Sequence, residues 1–293
     1  MEDVGAGAGR WRACRRSGVV RDGSRGERPI AGSIHPAATI DKSAELDSSV
    51  QVGAGAVIGP HVKVGRESWI GPCAVVARNT TIGARTRVFQ FASVGEDSQD
   101  LKYKGEPSRL EIGDECRIRE FASIHRGTEG GGMLTKLGNR VLVMNYVHIA
   151  HNCRIGDDVI LTNGAQLGGH CVVEECANLS AMAAVHQFSR VGAHAFLAAG
   201  ALAAQDVPPY VMVAGAERAR LVGINEIGLQ RRGFAPETIK ALKSATRTIF
   251  YSRLPREDAL KKVLEELGGF AEVRRLVDFI AGSERGVVGR ERE

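Results

Sequence analysis

From Ile34 onward an aliphatic residue returns at every sixth position: Ile40, Leu46, Val52, Ile58, Val64, Ile70, Val76, Ile82, Val88 and Val94. After an interruption the beat resumes at Ile112, Ile118 and Ile124. A second series, one residue out of phase, runs from Leu137 through Val143, Ile149, Ile155, Leu161, Leu167, Val173, Leu179, Val185 and Val191 to Leu197. A period of six fits neither the 3.6 of a helix nor the alternation of a simple strand. It fits a short strand plus a corner, with the aliphatic side chain pointing inward. Three such units close one triangular coil, and coils stack at the inter-strand spacing of roughly 4.8 Å. Glycine often follows the aliphatic residue, as at Gly53, Gly59, Gly65, Gly156 and Gly168, and is expected to let the chain turn there. Aromatics are only 5% of the chain and glycines number 36, which suits rows of small aliphatic side chains better than a conventional core. The period alone therefore predicts a mainly β chain: a parallel β-helix over residues 31–215.

Two polar, glycine-bearing stretches interrupt the beat, at about 95–111 and 126–136, and are expected to be loops thrown from the coil that build a binding site. The beat fades after Leu197. Ala203 holds the next place weakly, and Gln205–Tyr210 reads as an exit turn. From Pro236 the pattern becomes helical, with Ile239, Leu242, Ala245 and Ile249 on one face. Further helices are expected after Pro255 (Leu260, Val263, Leu264, Leu267) and after Phe270 (Val273, Leu276, Val277, Ile280), so residues 216–293 read as a small helical domain. Residues 1–30 read as a disordered extension.

Net charge is +5, but the excess sits on the Gly/Arg-rich first thirty residues rather than on a folded face, which argues against nucleic acid as partner. The six cysteines show no CxxC pair and no secretory framework. Reduced thiols, the lack of a signal-like apolar segment and the lack of a membrane-length apolar run predict a cytoplasmic protein.

Three histidines lie between Asn145 and Val173. Because residues one coil apart stack, His151, His170 and His186 are expected to form a rough column at one edge, with His125 at its lower end and His148 beside it. A single corner histidine would most simply make backbone hydrogen bonds. Five of the eight at one edge point to a site. Zinc is the sharp alternative for an imidazole cluster, as in the trimeric γ-class carbonic anhydrases, but one coil's rise is short for convergent ligands. No resident metal is expected.

Several stretches are more specific: VGEDSQDLKYKGEPSRLEIGD, IREFASIHRGT, NYVHIAHNCRIGD, NGAQLGGH, AAVHQFSRVGAHAF, AQDVPPYVMVAG and GLQRRGF. In this order and spacing they resemble the UDP-N-acetylglucosamine O-acyltransferases of lipid A biosynthesis, over about residues 33–285. The resemblance implies a left-handed β-helix and a homotrimer with active sites between subunits. It also implies transfer of an R-3-hydroxyacyl group from acyl carrier protein to the 3-hydroxyl of UDP-N-acetylglucosamine. No cofactor is implied beyond the phosphopantetheine arm of the carrier. By this resemblance His151 is the general base and the Gly169 N–H the oxyanion donor. Gln99, Asp100 and Lys102 belong to sugar-nucleotide contacts, and His125, His148, His170, His186 and Gln187 line the cleft. Asn225, Arg231 and Arg232 serve the nucleotide and carrier end, where an arginine fork suits phosphate. Read from the residues alone, Arg231–Arg232 would be a solvated helix start.

Three positions depart from the family pattern. Asn152 follows the catalytic histidine where an aspartate is frequent; an amide can orient the imidazole but cannot stabilise its cation. Asn225-Glu226-Ile227-Gly228 stands where some members have Asn-x-Glu-Gly. Ala199, at the acyl-chain end, stands where a glycine can occur. Two other classes compete. The related N-acyltransferases carry a sizeable uridine-binding domain before the repeats, and only about thirty residues precede Ile34 here. A non-catalytic solenoid scaffold would be indifferent to loss of His151.

Overall fold

The computed structural model describes residues 32–289; the expected extension at 1–30 lies outside the described residues. The residues found by their period form the core. Ile58, Ile70, Ile82, Ile118, Ile124, Ile149, Leu161, Leu167 and Leu179 are all fully buried. Each lies in a short strand, mostly of two residues, and all but Ile124 end theirs; the strands align into three sheets of nine, eight and ten strands. Pairing is parallel and in register from coil to coil: Ile149 lies on Leu167, and Leu167 on Val185. The chain is a left-handed parallel β-helix followed by a small helical domain.

Two residues before most anchors a second side chain, often a small one, also points in. Ala56, Ala74, Ala92, Ala122, Ala165, Ala177 and Ala183 hold this place, and so do Cys116, Cys153 and Cys171. These thiols are small apolar fillers, and burial pushes that of Cys116 up to about 11.

The turn is made elsewhere than expected. The glycines after the anchors, such as Gly59 and Gly156, keep ordinary φ, and the left-handed residue comes two positions later: His61, Glu67, Cys73, Asn79, Asn152, Asp158, His170 and Cys176 have φ between 54° and 62°. Each such residue costs ~1–2 kcal/mol. Full burial of an aliphatic anchor contributes ~1.5–3 kcal/mol, so a unit with one of each still gains. The glycines serve stacking instead. A Cβ on Gly156 would come 2.6 Å from Glu175 N of the next coil, and one on Gly65 would come 2.8 Å from Ala84 N.

Both excursions leave from the same edge and are shorter than the sequence suggested. Strand Ser93–Glu96 continues past Gly95 and strand Arg109–Ile112 starts early, so the first excursion is 97–108. Strand Leu134–Leu137 pairs along Arg109–Ile112, so the second is 126–133. Glu96, Arg109 and Lys136 are polar because they are outward strand positions, not because they are loop. As expected, Ile124 lies against Ile149 despite the insertion.

The coil does not stop at the expected exit turn. Val211–Ala214 rejoins the third sheet beside Phe196–Leu197, and Arg220–Ile224 pairs antiparallel with it. Four helices follow: α1 (Glu226–Arg231), α2 (Pro236–Tyr251), α3 (Arg256–Leu267) and α4 (Ala271–Ala281). Short α1 has no counterpart among the predicted helices. Ile239, Leu242, Ala245 and Ile249 are buried as expected, but Leu264 of α3 is 40% exposed. The helices are tied to the coil by charge. Arg275 bridges to Glu174 and Glu175 at 2.8 and 2.5 Å. Arg190 bonds Asp206 at 3.0 Å and covers the Phe279 ring at 4.3 Å. Among the described residues no helix is long and apolar enough to cross a membrane.

Candidate active site

The edge that throws both excursions also carries the histidines. Between them lies an open cleft of about 1200 Å³, lined by Gln99, Asp100, Lys102, His125, His148, His151, His170, Gln187 and Phe188 among others. The sequence period brings His125 and His148 to adjacent coils, with ring centroids 5.1 Å apart. His151 meets His170 edge to face at 5.1 Å, and His170 stacks on Phe188 at 4.5 Å.

His151 is held from behind. Its Nδ1 lies 2.7 Å from Asn152 Oδ1. That oxygen also accepts from Thr128 N at 3.1 Å and from Thr128 Oγ1 at 2.7 Å, while Asn152 Nδ2 donates to Thr128 O at 3.2 Å. Asn152 is 4% exposed, and its own N–H donates to Thr135 Oγ1 at 2.8 Å. With Nδ2 committed to a carbonyl, Oδ1 can only accept, so His151 Nδ1 carries the proton. Its Nε2 is left with a lone pair facing the cleft. Asp100 Oδ2, from the first excursion, lies 3.9 Å from that Nε2.

One coil above, Gly169 abuts the same ring: a Cβ there would lie 2.7 Å from both Nε2 and Cε1 of His151. Among the described residues the Gly169 N–H donates to no backbone carbonyl, whereas its carbonyl accepts from Phe188 N at 2.9 Å. The neighbouring imidazoles are kept neutral. Burial pulls His148 down to about 4, with the charges of His125 and His151 adding to it. Burial likewise lowers His125 and His170. Ser123 Oγ lies 2.8 Å from His148 Nδ1 and Asp97 O lies 2.5 Å from His125 Nδ1. No group of three or more His, Cys, Asp or Glu side chains is placed to hold a metal ion, among the described residues.

Other predicted residues fall elsewhere. His186 does not line the cleft of one protomer. It is exposed, with Nδ1 3.0 Å from Gln187 O and 3.2 Å from Arg285 Nη2 of the C-terminal segment. Asn225 is spent within the chain: its Oδ1 caps α1 by accepting from Gly228 N at 3.2 Å, and its Nδ2 donates to His194 O at 2.9 Å. Arg231 and Arg232 end α1 rather than start a helix; both are exposed, and neither lines the cleft of one protomer. Glu226 pairs with Lys243 at 3.3 Å, and Ile227 is 64% exposed. Ala199 is exposed at the corner after Phe196–Leu197. Thr128 and Arg126, both in IHRGT, were not foreseen as parts of the site. Their trace in the sequence is their place in IREFASIHRGT, a polar run where the aliphatic beat breaks.

Residues 206–288 match a family model described as UDP N-acetylglucosamine O-acyltransferase, domain 2, and residues 134–169 match one of bacterial transferase hexapeptides. The acyl-[acyl-carrier-protein]–UDP-N-acetylglucosamine O-acyltransferase of Herminiimonas arsenicoxydans is 51% identical, covering 87% of this chain and 98% of that one. That of Myxococcus xanthus is 46% identical over 87% and 98%. Among solved structures, the Francisella novicida UDP-N-acetylglucosamine acyltransferase superposes with TM-score 0.85 at 39% identity, covering 88% and 94%. The Acinetobacter baumannii enzyme gives 0.84 at 40% identity, covering 87% and 99%. A triangular coil of hexapeptides, two excursions over a row of imidazoles and a helical tail thus coincide with whole-length similarity to enzymes of one kind, and the chain belongs to the UDP-N-acetylglucosamine O-acyltransferase family.

Proposed function

We propose that this enzyme transfers an R-3-hydroxyacyl group from acyl carrier protein to the 3-hydroxyl of UDP-N-acetylglucosamine, the first step of lipid A biosynthesis, with His151 as general base. The observation that carries the mechanism is the committed tautomer of His151: Nδ1–H is spent on Asn152 Oδ1, and Nε2 faces the cleft. Imidazole is suited to accept a hydroxyl proton near neutral pH. As Nε2 takes the proton, the sugar oxygen attacks the thioester carbonyl carbon. The tetrahedral oxyanion is met by the Gly169 N–H, which donates to no backbone carbonyl among the described residues. Collapse breaks the C–S bond, and the departing phosphopantetheine thiolate recovers the proton from His151. Asn152 orients the ring. Asp100, 3.9 Å from Nε2, is the carboxylate nearest the cation that forms.

The same reading makes the protein a cytoplasmic homotrimer. The three faces of the coil differ in chemistry. One presents Lys63, Glu111, Lys136 and Arg154 outward and suits solvent. Another presents Leu142, Ile160, Phe196 and Met212. The corner that follows it carries Phe91, Phe121 and Tyr146, stacked at 5.4 and 5.0 Å yet 53, 47 and 62% exposed. Such a patch suits burial against a second copy. A neighbouring copy would also bring its own exposed Arg231 and Arg232 toward the nucleotide and carrier end, which one protomer leaves unfilled.

The decisive experiment is an assay of the purified protein with UDP-N-acetylglucosamine and a panel of 3-hydroxyacyl carrier proteins. Turnover is expected with at least one chain length, and none with any length refutes the reaction. The panel also reads out whether Ala199 shortens the accepted chain.

A further inference from the structure

Arg126 is 1% exposed and is among the largest fully buried side chains of the molecule. It stands at the root of the second excursion, yet its guanidinium is spent on the first. Nη1 donates to Gly95 O and, at 3.5 Å, to Arg78 O. Nη2 donates to Asp97 Oδ1 and, at 3.1 Å, to Tyr103 Oη. Asp97 is gripped further by Arg78 Nη2 at 3.2 Å and by the Tyr103 hydroxyl at 3.0 Å. The second excursion holds the far side of the first as well, because Glu129 N donates to Glu106 Oε1 at 3.2 Å.

The cleft-facing part of the first excursion has little support of its own. Asp100 N donates to Ser98 Oγ, and Lys102 N donates to Asp100 Oδ1; both bonds are local. Leu101 between them is wholly exposed, so no apolar packing anchors the tip. A buried guanidinium is costly unless its donors are satisfied; here both terminal nitrogens are bonded and Nε has no partner among the described residues. An edge needing only bulk would be filled more cheaply by leucine.

We infer that Arg126 is a positioning residue: through Asp97 and Tyr103 it fixes the excursion that presents Gln99, Asp100 and Lys102 to the substrate and to His151. The inference rests on the reading of this cleft as the sugar-nucleotide site. A planar fork reaches a carbonyl on one strand and a carboxylate on the loop at once, which a lysine ammonium at the same place cannot do.

The test uses the full-length protein with Arg126→Met, Arg126→Lys and Asp97→Asn. Asp97 is exposed at the surface, so Asp97→Asn keeps the coil intact and decides the matter if Arg126→Met fails to fold. Hydrogen exchange without substrate is expected to quicken across 97–108 and stay unchanged in the coils above residue 137. Steady-state kinetics are expected to show kcat/KM for UDP-N-acetylglucosamine down on the order of tenfold to a hundredfold, the scale of a misplaced binding group. That loss should fall mainly on KM, with partial recovery in Arg126→Lys. Unchanged loop exchange in Asp97→Asn overturns the inference, as does a loss confined to kcat. Quickened loop exchange in a protein whose parent form turns over no acyl donor sinks the reaction instead and leaves the clamp standing.

Discussion

The group behind His151 is an amide, which orients the ring without a charge to offset its cation. Asn152 holds the imidazole, and Thr128 holds Asn152 with three hydrogen bonds. Replacing His151 with alanine is expected to cut kcat by ~10²–10⁴ with the fold intact, the range for loss of a general base; a scaffold or a base supplied elsewhere would show no such loss. A different imidazole should be visible in stability. His148 titrates at about 4 in the fold because it is buried beside His125 and His151, against ~6.5 in an unfolded chain. Between those values the unfolded chain binds a proton that the folded one refuses, so His148 makes stability fall as pH drops through that window. His148→Gln should therefore lose less melting temperature than the parent protein between pH 7 and pH 4.5. An equal decline in both would show that His148 is not responsible. The histidines were legible as a cluster because the period places them on one edge. Arg126 was not: nothing local to a sequence says that a cation among polar loop residues is buried, since its acceptors lie far away at Gly95, Asp97 and Tyr103.

The coil was legible because each unit repeats one geometric demand, an inward aliphatic residue before a corner. What the period could not reveal was which residue bends the chain. Glycine seemed the natural candidate, yet non-glycine residues such as Asn152 and His170 take the left-handed conformation, while Gly65 and Gly156 make room for the next coil. Gly156→Ala is accordingly expected to destabilise by ~1–3 kcal/mol, the cost of overpacking, read as a lower urea midpoint. Gly169→Ala tests the same crowding with a different readout. Its Cβ would push on His151 Nε2, so activity should collapse, and an unchanged rate would remove Gly169 from the site. The hairpin formed by Val211–Ala214 and Arg220–Ile224 escaped notice for the opposite reason. It has left the period of six, and two short alternating strands near prolines resemble a turn.

For the whole molecule, the aromatic row Phe91–Phe121–Tyr146 is the feature least compatible with a solitary chain. Phe121 lies at its centre, stacked on both sides. If the proposed trimer forms through this row, Phe121→Glu should convert it to smaller species in analytical ultracentrifugation and abolish turnover, because the nucleotide end of the proposed site would lose its second copy. A trimer undisturbed by that charge would place the subunit contact on another face.

The two excursions leave and return at one edge, and beyond a bulge between Val94 and Glu96 the strands they interrupt keep their register: Ser93 still lies on Ser123, and Ser123 on His148. The proposed acid–base apparatus is thus built into a frame whose stacking does not depend on the length of what is grafted onto it. Substrate preference can drift by lengthening, trimming or recolouring either graft, while the distance between His151 and Gly169 stays set by the rise of a single coil.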